Sequence, residues 1–206
     1  MNKRVSLVLF TIAVTVVFIA PISFAYLLTR PIVALNEEVY LKRAVLAAAG
    51  LEAPRAAAAA KELFDARVAQ LPAAEAAAGA RAPEPVYRVK DTAGATAGWV
   101  ITRTGPGLWG DIVMVVGFAA DREQLSGIEF LKQQETPGLG ARISERWFKE
   151  QFKDKRGPFT SVAEGEPTAE DQFDAITGAT FTSNAVLGIV NAVVVEAGHL
   201  PKEGTP

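Results

Sequence analysis

The sequence contains no cysteine and only one histidine. Without Cys, thiol catalysis, disulfide staples and Cys-ligated iron–sulfur clusters are excluded within this chain. The lack of Cys is compatible with an oxidising compartment but does not prove one. A histidine-based metal site or a Ser-His-Asp triad would rest on His199 alone. That residue reads more simply as a solvated or capping group near a helix end. An excess of one charge is lacking too. Lys and Arg number 21 against 23 Asp and Glu, a net charge of −2 over 206 residues. The two signs are mixed, so no nucleic-acid surface is implied.

Charge is absent altogether from Val5 to Thr29, a run rich in Val, Leu, Ile and Phe. A membrane-spanning helix needs about 20 apolar residues, so this run suffices with some tilt. Lys3 and Arg4 precede it, and the positive-inside tendency then holds the N-terminus in the cytoplasm and sends the rest across. Arg30, Lys42 and Arg43, offset by Glu37 and Glu38, weigh mildly the other way. Pro21 is expected to kink the helix or end its regular part. A signal peptide cleaved near Ser23-Phe24-Ala25 is the competing reading. The apolar stretch, however, exceeds the usual signal core of about 7–15 residues. Both readings place the remaining chain outside the cytoplasm.

Beyond the uncharged run the chain is built from helix formers. Glu37 to about Ala80 is dominated by Ala, Leu, Glu, Lys and Arg, including the run Ala56 to Ala60. Leu63, Phe64 and Val68 supply one short apolar face. Leu71 to Pro85 mixes Ala, Gly and Pro without periodicity. The stretch reads as a membrane-proximal spacer helix and then a flexible hinge. The organisation expected is a cytoplasmic start and anchor over 1–30, a linker over 31–85, and one domain over 86–206.

Within that domain, Val86 to Lys90 alternates as a strand does, and Gly98 to Ile101 reads as a second strand. Asp111 to Phe118 is a buried apolar strand, Asp121 to Gln124 a polar turn, and Gly127 to Leu131 the next strand. Ile143, Trp147, Phe148 and Phe152 recur at helical spacing. Asn184 to Ala197 is apolar nearly all round and predicts a buried helix. Strands come first and helices after, so the fold class is α+β, an antiparallel sheet with packed helices.

Three segments stand out. In Asp174-Ala175-Ile176-Thr177-Gly178-Ala179-Thr180-Phe181-Thr182-Ser183-Asn184 a strand end meets a helix start. Gly178 allows close backbone approach. Thr182, Ser183 and Asn184 are all good N-caps. Free N–H groups at a helix start favour phosphate, and Thr180 is placed one turn before that start. In Glu135-Thr136-Pro137-Gly138-Leu139-Gly140, Pro137 holds Thr136 extended and two glycines flank an aliphatic side chain. Such a loop can lie against a flat ring. Gly105-Pro106-Gly107-Leu108-Trp109-Gly110 puts a Trp among glycines, where stacking is common. Taken singly, these three segments also fit a capped helix start and two ordinary turns.

In chain order, Gly105–Gly110, then Glu135–Gly140, then Asp174–Asn184, the three segments resemble the FMN-binding domain shared by two related proteins. These are the NqrC subunit of the Na⁺-translocating NADH:quinone reductase and the RnfG subunit of the Rnf ferredoxin:NAD⁺ oxidoreductase. The resemblance covers about Val86 to Gly198, and the single N-terminal anchor matches as well. The family's flavinylation motif is Asp-x-x-Ser/Thr-Gly-Ala-Thr, complete here from Asp174 to Thr180. The resemblance implies FMN joined through its phosphate to Thr180. It also implies cofactor contacts at Trp109, Glu135, Thr136, Leu139, Gly140, Asp174, Thr177, Gly178, Ala179 and Thr182, with no metal site. It implies further that a Mg²⁺-dependent flavin transferase attaches the flavin. Other redox and multi-span subunits of an ion-translocating complex would be partners in a bacterial inner membrane, with the FMN domain on the periplasmic side. The expected function is electron transfer as a subunit with no catalysis of its own. Leu108-Trp109 is more like the quinone-reductase subunit, and the short chain more like the Rnf subunit. A stand-alone flavin carrier for an extracytoplasmic reductase and a non-redox anchored sensor are the alternatives.

Overall fold

Proline does not interrupt the first helix. In the structure, a computed structural model that describes residues 3–72, 84–166 and 169–200, α1 (Lys3–Ala48) runs through both Pro21 and Pro31. The helix therefore does not end at Pro21, one of the two outcomes expected there. Each proline removes a single backbone donor, and the hydrogen-bonded turns on either side carry the helix across it. By length and composition α1 can cross a membrane. The hydroxyls of Thr11, Thr15 and Thr29 donate to the carbonyls of Leu7, Thr11 and Ala25 at 2.9, 2.8 and 2.9 Å. Internal satisfaction of this kind is what a lipid surrounding demands.

The chain divides between Tyr40 and Leu41 into two units. The second is α+β. It is built on a five-stranded antiparallel sheet in the order β1 (Val68–Gln70), β2 (Val86–Lys90), β3 (Thr96–Pro106), β4 (Asp111–Ala119) and β5 (Leu125–Lys132). Four of these strands, β2 to β5, lie where the sequence predicts strands. β3 extends well past Ile101 because it pairs with β4 along its whole length, from Gly98↔Ala119 to Pro106↔Asp111.

Both faces of the sheet are covered. Ile101, Met114, Val116, Phe118 and Phe130 pack with Phe148, Phe152 and Phe173 and against the last helix, α4 (Thr180–Ala197). The aromatic rings meet closely, Phe152 and Phe173 at 4.8 Å between centroids. Burial of each such side chain stabilises by about 1.5–3 kcal/mol. On the opposite face, Ala44, Val45, Leu46 and Ala48 of α1 cover Tyr87, Val89, Val100 and Val115. Leu63 and Phe64 of α2 (Ala57–Arg67) join them, and Ser126 Oγ donates to the Ala48 carbonyl at 2.7 Å. The stretch read as a spacer thus forms a layer of the second unit from Leu41 onward. The reason is that β3 and β4 are apolar on both faces, and the second face needs cover. Most of the expected hinge, 73–83, lies outside the described residues.

Two other elements differ from the sequence expectation. The amphipathic stretch expected as one helix is a 3₁₀ turn over Gly140–Ser144 and then α3 (Arg146–Glu150), separated by extended Glu145. A short parallel pair joins β6 (Thr160–Val162), not legible as strand, to β7 (Gln172–Asp174), which ends at Asp174 where the sequence predicts a strand end. β7 delivers the chain to the start of α4.

Candidate functional site

β7 ends at Asp174, and six residues later α4 begins at Thr180 itself, with Ala179 in the N-cap position and no side-chain cap. This corrects the expected start at Asn184. The crossing is pinned by backbone bonds from Ala175 N to Val162 O (2.8 Å) and Ala179 N to Ile176 O (3.0 Å). Gly178 takes φ +77°, a left-handed conformation that favours glycine. Thr182, Ser183 and Asn184 therefore lie inside the helix and not at its cap. Ser183 Oγ reaches back to accept Ile176 N at 3.0 Å in the buried interior. The first-turn N–H groups of α4 have no intrahelical acceptors. The Thr180 side chain is exposed at this positive end.

The three motif segments converge here. The Thr136 carbonyl accepts Leu139 N and Ala141 N, both at 3.1 Å, which folds the Pro137-Gly138 turn with Gly138 at φ +76°. Leu139 is 43% exposed and leans on Gly178, where a Cβ would lie 3.3 Å from Leu139 Cδ2. Trp109 is 67% exposed and Phe181 75% exposed, with Leu108 also exposed. Glu135 and Thr182 lie beneath, 5% and 1% exposed. Gly140 and Ala179 are buried, while Thr136, Thr177 and Gly178 are on the surface. The site is an open ledge of apolar side chains beside a helix N-terminus. Two grooves elsewhere in the domain, one lined by Ala47, Ser126 and Lys149 and one by Arg103, Asn184 and Ala192, do not include Thr180, Trp109 or Leu139.

The motif's first half is strapped down from outside. Asp174 N donates to Gln151 Oε1 at 2.6 Å, and Asp174 Oδ2 accepts Gly165 N at 3.1 Å. Asp174 Oδ1 is buried without a partner among the described residues. Glu164 Oε2 accepts Thr177 N at 2.8 Å, and Arg142 donates to both Glu164 oxygens at 2.9 and 3.3 Å. The Arg142 hydrogen bonds first, and the Thr177 bonds after them, hold the Glu164 carboxyl down at about 2. Arg142 also lies 5.1 Å from the centroid of the Trp147 ring. Arg142, Glu164, Leu108 and Phe181 were not identified from the sequence. Leu108 and Phe181 stand inside the motifs and could have been found there. No local pattern links Arg142 to Glu164.

An exposed hydroxyl at a helix N-terminus and an adjacent apolar ledge fit a ligand with a phosphate at one end and a flat ring at the other. Residues 107–195 match the family model described as the FMN-binding domain. The chain is similar to the G subunit of the ion-translocating oxidoreductase complex of Methanosarcina acetivorans, at 35% identity over 52% of this chain and 55% of the relative. It is similar also to the C subunit of the Na⁺-translocating NADH-quinone reductase of Pasteurella multocida, at 36% identity over 49% of this chain and 42% of the relative. The chain spans about half the length of the curated relatives it matches. A solved structure of the C subunit of the Na⁺-translocating NADH-quinone reductase from Parabacteroides distasonis shares the fold, with TM-score 0.65 and 22% identity over 82% of this chain and 95% of that one.

Proposed function

We propose, from the match of residues 107–195 to the FMN-binding domain family, that this chain carries FMN bonded through its phosphate to Thr180 and transfers electrons as a subunit of a membrane ion-translocating oxidoreductase. The observation that carries the reading is the exposed Thr180 hydroxyl at the first residue of α4, beside exposed Trp109, Leu139 and Phe181. Bound flavin supplies one- and two-electron transfer. The chain's own residues hold, orient and shield it. The first-turn N–H groups of α4 favour the phosphate. Leu139, resting on Gly178, and Trp109 offer apolar surface to a ring and exclude water from one face of it. The open ledge leaves the other side free to meet a partner subunit. A covalent bond keeps the cofactor from dilution outside the cytoplasm.

Lys3 and Arg4 before the uncharged span support a domain on the periplasmic side. The Asp174–Thr180 motif supports maturation by a Mg²⁺-dependent flavin transferase. Any ion path lies in partner subunits, because the Val5–Thr29 span contains no ionisable side chain apart from Tyr26. The test is expression of the full chain with such a transferase, as wild type and as Thr180→Val. The wild type should fluoresce after denaturing gel electrophoresis and carry the added mass, and the variant should fold without either. Flavin retained by the variant through denaturation places the bond elsewhere.

A further inference from the structure

Glu135 is a buried carboxylate at the meeting point of the three motif segments. Its Oε1 accepts Leu108 N at 2.9 Å and Trp109 N at 3.3 Å, and its Oε2 accepts the Thr182 hydroxyl at 2.5 Å. Among the described residues no Lys or Arg forms an ion pair with it. A carboxylate without a cation is costly to bury unless its lone pairs are taken up. Three donors do so here, and the positive end of α4 lies beside them.

Two motif glycines make room for this group. A Cβ on Gly107 would stand 2.5 Å from Glu135 Oε1. A Cβ on Gly140 would stand 2.5 Å from Thr182 Oγ1 and 2.9 Å from Glu135 Oε2. The sequence reading gave Gly140 to close approach of a ring, yet its missing side chain faces the buried carboxylate. Gly138 by contrast has nothing within 4 Å.

We propose that Glu135 is a positioning residue for the flavin site: its carboxylate clamps the Trp109 loop to the first turn of α4, and so sets the wall against which a ring attached at Thr180 rests. The proposal rests on the flavin reading for its effect on the cofactor, whereas the clamp itself is a property of the chain. Because Thr182 is two residues from Thr180, any slackening of the clamp moves the attachment point and the wall relative to each other. The buried negative charge also disfavours electron density on a ring beside it.

The test compares the full chain, co-expressed with a flavin transferase and purified in detergent, as wild type, Glu135→Gln, Glu135→Ala and Thr182→Val. Intact mass reads the flavin load. Amide exchange at Leu108 and Trp109 reads the clamp with or without flavin, and the midpoint potential reads the ring's surroundings. In Glu135→Ala, exchange at both amides should accelerate about tenfold or more, the loss of a charge-assisted hydrogen bond. Glu135→Gln keeps a carbonyl acceptor, so its exchange should rise less. With wild-type load, its potential should move to a more positive value because the charge is gone. Thr182→Val keeps the charge and frees one end of the clamp, so its exchange should rise while its potential moves less than that of Glu135→Gln. If Glu135→Ala fails to fold, the other two variants decide. Wild-type exchange rates and potential in loaded Glu135→Gln and Thr182→Val would overturn the proposal. A wild-type chain that takes up no flavin would overturn the functional reading instead, and the exchange measurements would still judge the clamp.

Discussion

The Thr182 hydroxyl donates a 2.5 Å hydrogen bond to the carboxylate of Glu135, 47 residues earlier in the chain, and both groups are buried. This contact joins the loop before the 3₁₀ turn to the first turn of α4. Everything exposed on the ledge, from Trp109 to Thr180, stands on it.

The two glycines of the Gly138-Leu139-Gly140 turn should respond differently to alanine. Gly140→Ala pushes a methyl group against Thr182 Oγ1 and Glu135, and overpacking of this kind costs about 1–3 kcal/mol. It should also disturb any flavin spectrum. Gly138→Ala meets open space but must hold φ +76°, a backbone cost of about 1–2 kcal/mol, and it should leave the spectrum unchanged. Denaturant unfolding with flavin absorption on both variants checks this. An equal spectral effect from the two would contradict the assignment.

Leu139→Asp should keep the covalent bond, since Thr180 is untouched, and should shift the flavin's midpoint potential while raising its exposure to solvent. Spectroelectrochemistry beside a quenching titration makes the comparison. Unchanged values would mean that the ring lies elsewhere and that this loop is only a turn.

Acid should loosen the strap over the motif. The folded Glu164 carboxyl is lowered from 4.5 to about 2, so the stability it contributes is present above pH 4.5 and is lost as the pH falls toward 2. Arg142→Gln removes the largest cause and should return the Glu164 midpoint toward the ordinary carboxylate range. Carbon-13 NMR titration of the Glu164 side chain reads both values. A midpoint that stays near 2 in the variant would show that Arg142 is not what holds it.

Protease added to intact spheroplasts should digest the domain C-terminal to the uncharged span. Protection that disappears only on lysis would reverse the orientation read from Lys3 and Arg4.

Local chemistry made much of this protein legible in its sequence. An uncharged run long enough to span a membrane is a property of composition alone, and α1 carries it. Alternation located β2, and a continuous apolar β-branched run located β4, because strand side chains must meet a core on one face or on both. The three Gly-rich segments and Thr180 were legible as motifs because tight turns and helix starts demand particular residues. Tertiary structure decided the rest. α1 continues to Ala48 and covers the second sheet face, since Val45 and Leu46 have a partner only when the sheet exists. α4 starts at Thr180 and not at a Ser or Asn cap, because Ser183 is drawn back to Ile176 N and the crossing from β7 sets the first turn. Glu135 and Thr182, and likewise Arg142 and Glu164, are polar residues far apart in sequence. Their partners are chosen by the folded chain, and for the buried Glu135–Thr182 pair a donor or acceptor left unmatched costs more than the contact itself provides. No periodicity along the sequence encodes such a pairing.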